Sequence, residues 1–128
     1  MHVSGAAWFY QKKDCDIEKL PPHLQDRKLM GVCLHPKFGG YFSARAVVLT
    51  NQPVDRPISP PIKMIEDKET VTKLLTEMND NWQEGRWREM IPVKERYSRQ
   101  AAIYFNTPPK SRGKLIQAIK LCGEIKSS

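Results

Sequence analysis

Hydrophobic and polar positions alternate in the first part of the chain and repeat at helical spacing in the rest. Ala6-Ala7-Trp8-Phe9-Tyr10 is an apolar run that stops at the polar residues from Asp14 to Glu18, and Pro21-Pro22 marks a loop. Residues 29–35 form a second mostly apolar run, closed by Pro36. Gly39-Gly40 then predicts a turn into residues 41–50, which are rich in aromatic and β-branched types, so the spacing predicts an antiparallel hairpin. In that last run Phe42, Ala44, Ala46 and Val48 share one face and Ser43, Arg45, Val47 and Leu49 the other. Arg45 is the odd member, because an unpaired guanidinium is costly to bury among apolar neighbours.

Four prolines, Pro53, Pro57, Pro60 and Pro61, break the next stretch into an arm that can neither pair in a sheet nor continue a helix. Beyond it the period becomes helical. Val71, Leu74, Leu75, Met78 and Trp82 fall on one stripe, with Asp67 as N-cap and Gly85 as stop. Pro92 suits a first helical position, with Val93, Tyr97, Ala101 and Tyr104 behind it. Thr107-Pro108-Pro109 ends that helix and starts another, whose face is Leu115, Ile119 and Cys122. Strands over about 2–50, a Pro-rich linker over about 52–65 and helices over about 67–122 predict a single α+β domain covering 1–128.

Composition narrows the classes. The chain has 128 residues, 40% of them hydrophobic, which suits one folded domain rather than a disordered chain. No apolar run approaches the ~20 residues that cross a bilayer, so no membrane partner is expected. Met1-His2-Val3-Ser4-Gly5 has no basic start, and Lys12-Lys13 cut the apolar stretch short, so no secretory leader is expected. Cys15, Cys33 and Cys122 are scattered and form no CxxC motif, which predicts reduced thiols and a cytoplasmic location. The net charge of +7 favours anionic partners without choosing among them.

Motif chemistry is sparse. His2 and His35 have no second ligand at metal spacing, no Walker or Rossmann glycine pattern occurs, and Cys33 in an apolar run is an inert thiol by default. Arg86, Arg88, Arg96, Arg99, Lys110, Arg112, Lys114 and Lys120 with Trp82, Trp87, Tyr97, Tyr104 and Phe105 could form an RNA-binding face. The aromatics occupy the apolar stripes, however, and read better as core, so no nucleic-acid partner is expected.

Three blocks carry a resemblance. They are His2-Val3-Ser4-Gly5-Ala6-Ala7-Trp8-Phe9-Tyr10-Gln11, the run from Gly31 through Gly39-Gly40-Tyr41-Phe42 to Arg45, and Glu95-Arg96-Tyr97-Ser98 with Tyr104-Phe105-Asn106-Thr107-Pro108-Pro109. Together they resemble the methylmalonic aciduria and homocystinuria type C family of cobalamin-processing proteins over nearly the whole chain. The resemblance implies part of a flavin-dependent nitroreductase-like fold, incomplete at its N-terminus relative to the family. It implies cyanocobalamin reductase activity using FMN or FAD, with NADPH, and glutathione-dependent dealkylation of alkylcobalamins. Downstream cobalamin-trafficking proteins are the implied partners. The alternative is a truncated, non-catalytic binding or partner module.

Carried over residue by residue, the resemblance assigns Phe9, Tyr10, Gln11, Cys33 and Ala44 to cobalamin and Arg45, Arg88 and Arg112 to glutathione. His2 and Gly5 with Gly39-Gly40 match the H-x-x-G…G-G pattern of other cobalamin binders, in which the histidine ligates cobalt. No metal ligand and no catalytic residue is assigned here. The physical case for the arginines is that guanidinium groups hold carboxylates bidentately, and glutathione carries two carboxylates.

Overall fold

The computed structural model describes residues 2, 4–44, 46–53 and 55–127, with backbone alone for the last five of these. Two short strands, β1 (Trp8–Tyr10) and β2 (Val32–Leu34), pair antiparallel. Four helices accompany them: α1 (Pro22–Gln25), α2 (Lys68–Asp80), α3 (Arg99–Asn106) and α4 (Pro109–Ser127). Single 3-10 turns lie at Lys12–Asp14, Ile17–Lys19, Trp82–Glu84 and Arg86–Glu89. The α+β class stands.

The register of the ribbon sorts its side chains. Trp8 faces Leu34, Phe9 faces Cys33 and Tyr10 faces Val32. Strand alternation therefore puts Trp8, Tyr10, Val32 and Leu34 on one side and Phe9 and Cys33 on the other. The first side lies on α2, whose Val71, Leu74 and Leu75 are buried as their spacing predicts. Cys15, Leu20, Leu24, Ile65 and Ile91 close the core around them. Each fully buried leucine there contributes about 1.5–3 kcal/mol over an exposed one.

Polar ties fix α2. Asp67 caps it by accepting from the Thr70 amide at 2.7 Å. Thr72 Oγ1 accepts from the Asp16 amide at 2.9 Å and donates to the Lys68 carbonyl at 2.7 Å. Asn79 grips the approach to β2, accepting from the Met30 amide at 2.9 Å and donating to the Met30 carbonyl at 3.1 Å. The proline-rich arm is anchored at its end, where the buried Tyr10 hydroxyl accepts from the amides of Met64 and Ile65 at 3.1 and 2.9 Å.

Three expectations are corrected. The described residues of the 41–50 stretch form no strand, and Val47, Val48 and Leu49 stand 87, 82 and 92% exposed. The reason is that the Gly40 amide bonds the Arg88 carbonyl at 3.0 Å instead of starting a ladder, which carries the chain away from β2. Pro92 does not open a helix. The Lys94 amide bonds the Lys37 carbonyl at 3.1 Å, holding that stretch out of helical geometry until Ser98 caps α3. The expected stripe of α4 is not buried: Leu115 is half-buried, while Ile119 and Cys122 are exposed.

Replacing Tyr10 with Phe keeps the ring but strands two amide donors. We expect Tyr10→Phe to lower unfolding stability by roughly 1–3 kcal/mol, measured by urea denaturation, with the fold retained.

Candidate functional site

The side of the ribbon away from the core begins the site. Phe9 and Cys33 are opposite one another there, and the Phe9 ring lies directly over Gly31, where a β-carbon would come within 2.4 Å of it. Phe9 and Gln11 line a cleft of about 450 Å³ with Lys12, Lys13, Lys28, Leu29 and Gly31. On the other side of Gly31, Cys33 and Ala44 line a smaller apolar cleft of about 240 Å³ with Phe42, Met78 and Trp87. Burial pushes the Cys33 thiol up from its ordinary value, so it stays a thiol rather than a reactive thiolate.

Four of the five residues assigned to cobalamin thus line two clefts that meet at Gly31. Tyr10 is the exception. Its side chain points into the core with no exposed surface, so no ligand reaches its ring. His2 is also committed, because its Nδ1 accepts from the Phe9 amide at 3.1 Å. A neutral imidazole in that arrangement carries its proton on Nε2, which leaves no lone pair for a metal. Among the described residues no group of three His, Cys, Asp or Glu is placed to hold a metal ion.

Arg88 forms the second half of the site. It is 9% exposed and has no carboxylate partner among the described residues. Its Nη1 donates to the Gly40 carbonyl at 2.6 Å, and its Nε is buried without any partner. Aromatic faces surround the guanidinium: Trp87 at 4.3 Å, Tyr97 at 5.2 Å and Tyr41 at 5.9 Å. Such cation–π contacts offset part of the desolvation of a buried cation. Burial nevertheless lowers the Arg88 pKa, and Arg112 adds a smaller repulsion.

The rings continue to Arg112. Tyr41 meets Tyr97 edge-on at 5.1 Å, Tyr97 stacks on Phe105 at 4.7 Å, and Phe105 meets Tyr104 at 5.2 Å. Arg112 lies 5.0 Å over Tyr104 and donates to the carbonyls of Thr107 and Phe105. Arg88 and Arg112 therefore stand on one aromatic ladder, and neither is spent on a surface ion pair. Arg45 lies outside the described residues.

Gly39 and Gly40 make this possible. Gly39 has φ +54, and a β-carbon there would lie 2.4 Å from the Arg88 carbonyl oxygen. A β-carbon on Gly40 would lie 2.6 Å from the Trp87 ring and 2.8 Å from the Arg88 Cα. Only glycine lets the two backbones touch here. Gly40 and Trp87 line the apolar cleft, and both contact the Arg88 guanidinium, so they form a wall between the Cys33 side and the Arg88 side.

On the Arg88 side is a cavity of about 530 Å³ lined by Tyr41, Glu84, Gly85, Arg88, Tyr97 and Asn106, among others. Its carboxylates are engaged. Glu84 pairs with Arg86, and Glu89 accepts from Arg96 at 2.8 and 2.9 Å and from the Tyr41 hydroxyl. The family resemblance, and not residue spacing, singled out Arg88 and Arg112. The Trp87-Arg88 neighbour pair was the readable hint, but Tyr41, Tyr97, Glu89 and Asn106 converge only in three dimensions.

Known proteins resemble this chain over most of its length. The model of the methylmalonic aciduria and homocystinuria type C family matches residues 1–116. A Gallus gallus protein named cyanocobalamin reductase / alkylcobalamin dealkylase is 44% identical over 118 residues, covering 90% of this chain and 48% of its own length. Its Homo sapiens namesake is 34% identical over 113 residues, covering 87% of this chain and 39% of its own. The crystal structure of a C. elegans B12-trafficking protein, CblC, superposes with a TM-score of 0.73 at 29% identity, over 87% of this chain and 44% of that one. The chain thus spans less than half the length of each of these relatives.

The hydrogen bonds to Glu89 give the site a pH signature. Arg96 first and Tyr41 second hold its carboxyl down at about 2, below the ordinary 4.5. A depressed carboxyl favours the fold above its unfolded value, and that contribution fades as pH falls from about 4.5 to about 2. We expect Glu89→Gln to flatten this part of the acid limb in a stability-versus-pH profile. The Tyr41 phenol, pushed up to about 12 by burial and by Glu89, works in the opposite sense: its contribution is lost between about 10 and 12.

Proposed function

The chain belongs to the methylmalonic aciduria and homocystinuria type C family, and from that premise we propose that it takes part in cobalamin processing: reductive decyanation of cyanocobalamin and glutathione-dependent dealkylation of alkylcobalamins. The observation that carries the reading is the shared wall of Gly40 and Trp87. It sets an apolar shelf beside Phe9, Cys33 and Ala44 back to back with a buried guanidinium that lacks a counter-anion.

On this reading the corrin macrocycle lies against the outer face of the ribbon, over Phe9 and the Cys33–Ala44 cleft, with Gln11 toward its amide side chains. Large conjugated rings favour such a shelf because burying apolar surface is worth about 25 cal/mol per Å². The cobalamin is held with its own benzimidazole base displaced, which eases reduction of cobalt in the cyano form. His2, engaged through Nδ1, does not replace that base. Arg88 and Arg112 hold carboxylates of glutathione, with Arg45 as the third member. Their positive field favours the thiolate. The thiolate sulfur takes the alkyl carbon from cobalt, forming a thioether, and the bonding electron pair stays on the metal.

The finer fold reading, part of a flavin-dependent nitroreductase-like domain, belongs to the same proposal, as does use of FMN or FAD with NADPH. The described residues contain a two-stranded antiparallel sheet. Three unpaired cysteines agree with a reducing, cytoplasmic setting, and no described helix is long and apolar enough to cross a membrane. Downstream trafficking proteins remain the proposed protein partners.

The test combines spectra and kinetics. Titrating the chain with methylcobalamin should shift the visible spectrum to the base-displaced form. Arg88→Gln and Arg112→Gln should cut glutathione-dependent dealkylation at least about tenfold, the loss of one charged hydrogen bond, while that spectral shift persists. Loss of the shift itself would assign the arginines to folding. A full shift with no turnover of either cobalamin would identify a binding or partner module instead.

A further inference from the structure

The cavity of about 530 Å³ is lined by Arg88 and Asn106, and among the described residues each holds one buried polar atom without a partner: Nε of Arg88 and Oδ1 of Asn106. One is a donor carrying positive charge, the other an acceptor. A buried polar atom without a partner costs free energy in the unliganded protein, so natural folds keep few of them. Here a complementary pair lines one cavity.

Asn106 is held where it stands. It is the last residue of α3, its carbonyl accepts from Gln83 Nε2 at 3.4 Å, and its side-chain amide lies against Gly85. The remaining freedom is the terminal amide torsion, which is broad and soft. The carboxylates on the wall are Glu84 and Glu89, and both are already engaged, by Arg86 and by Arg96 with Tyr41.

We propose that Asn106 is a specificity-determining residue: its side-chain carbonyl accepts from the ammonium of a ligand whose adjacent carboxylate lies on Arg88, so the cavity selects an α-amino-acid end group. This rests on the reading of the cavity as the glutathione site, and it assigns the γ-glutamyl end, with its α-carboxylate and α-ammonium, to Arg88 and Asn106. No covalent step is involved. Arg88 supplies affinity for any carboxylate. Asn106 distinguishes one that carries an amino group, because a site built around a hydrogen-bonding group rejects the analogue that lacks it.

The test compares glutathione with glutaryl-cysteinyl-glycine, which keeps both carboxylates and the thiol but lacks the ammonium. Dissociation constants are measured by calorimetry on the full chain. The parent should prefer glutathione by about tenfold, the value of one hydrogen bond to a charged group. Asn106→Ala should abolish that preference, and Asn106→Asp, which keeps shape and acceptor, should retain or increase it. A ratio of two affinities is insensitive to a general loss of folded protein, and thermal melts of each variant check the fold. Equal binding of the two peptides by the parent, or a preference that survives in Asn106→Ala, overturns the proposal while leaving the glutathione site intact. If neither peptide binds, or if Arg88→Gln binds both as tightly as the parent, the glutathione reading falls and this proposal with it.

Discussion

The Tyr10 hydroxyl is the point on which the fold and the site both depend. Buried beneath the ribbon, it accepts from two successive amides at the end of the proline-rich arm and so delivers the chain into α2. The arm has no ladder of its own, and its exposed residues supply little apolar burial, so this bond and Ile65 carry its anchoring. Strand geometry does the rest. With Tyr10 turned inward, Phe9 and its partner Cys33 must face outward, because successive side chains alternate. The core position of one phenol therefore sets which residues are left to meet a ligand.

The second constraint is the buried cation. Arg88 is removed from water, has no carboxylate, and is kept by a carbonyl and three aromatic faces. Leaving a charge in that state is unfavourable unless a further partner arrives, since neither a carbonyl dipole nor a ring quadrupole replaces a full counter-charge. The surrounding ion pairs show the contrast. Arg86 and Arg96 lie at the surface and each takes a carboxylate, where the gain is small and solvent screens it. The arginine that gains most from an anion is the one denied it by the protein. A ligand carboxylate there would supply the counter-charge that the described residues do not.

These two halves are joined by glycine. Gly39 and Gly40 look like hairpin residues in the sequence, and the turn does close on itself, with His35 and Gly39 exchanging bonds at 2.9 and 2.8 Å. Their larger use is the close approach to the Arg86–Glu89 turn, which no side chain at either position would permit. The same contact seats the Trp87 ring, which lines the apolar cleft, directly against the guanidinium of Arg88, which lines the larger cavity.

The α2 stripe of Val71, Leu74 and Leu75, its Asp67 cap and the break at Pro108-Pro109 were all legible in the sequence, because each depends on neighbours within a turn or two. The outward set of Phe9 and Cys33 was not, because the spacing predicts pairing of residues 29–35 with 41–50, and only the β1–β2 register turns Tyr10 into the core. Residues 41–50 show the limit of local reading. Their β-branched composition describes what a strand would contain, but a strand exists only where another segment offers hydrogen bonds, and Gly40 spends its amide elsewhere. Pro92 shows it again, since a residue suited to start a helix was overruled by a single long-range bond from Lys94 to Lys37. The aromatic cage around Arg88 is largely tertiary: Trp87 is its neighbour in the sequence, but Tyr41 and Tyr97 come from separate segments. Sequence determines which residues could bury a charge; only the meeting of distant backbones decides which charge is buried, and what is left for a ligand to satisfy.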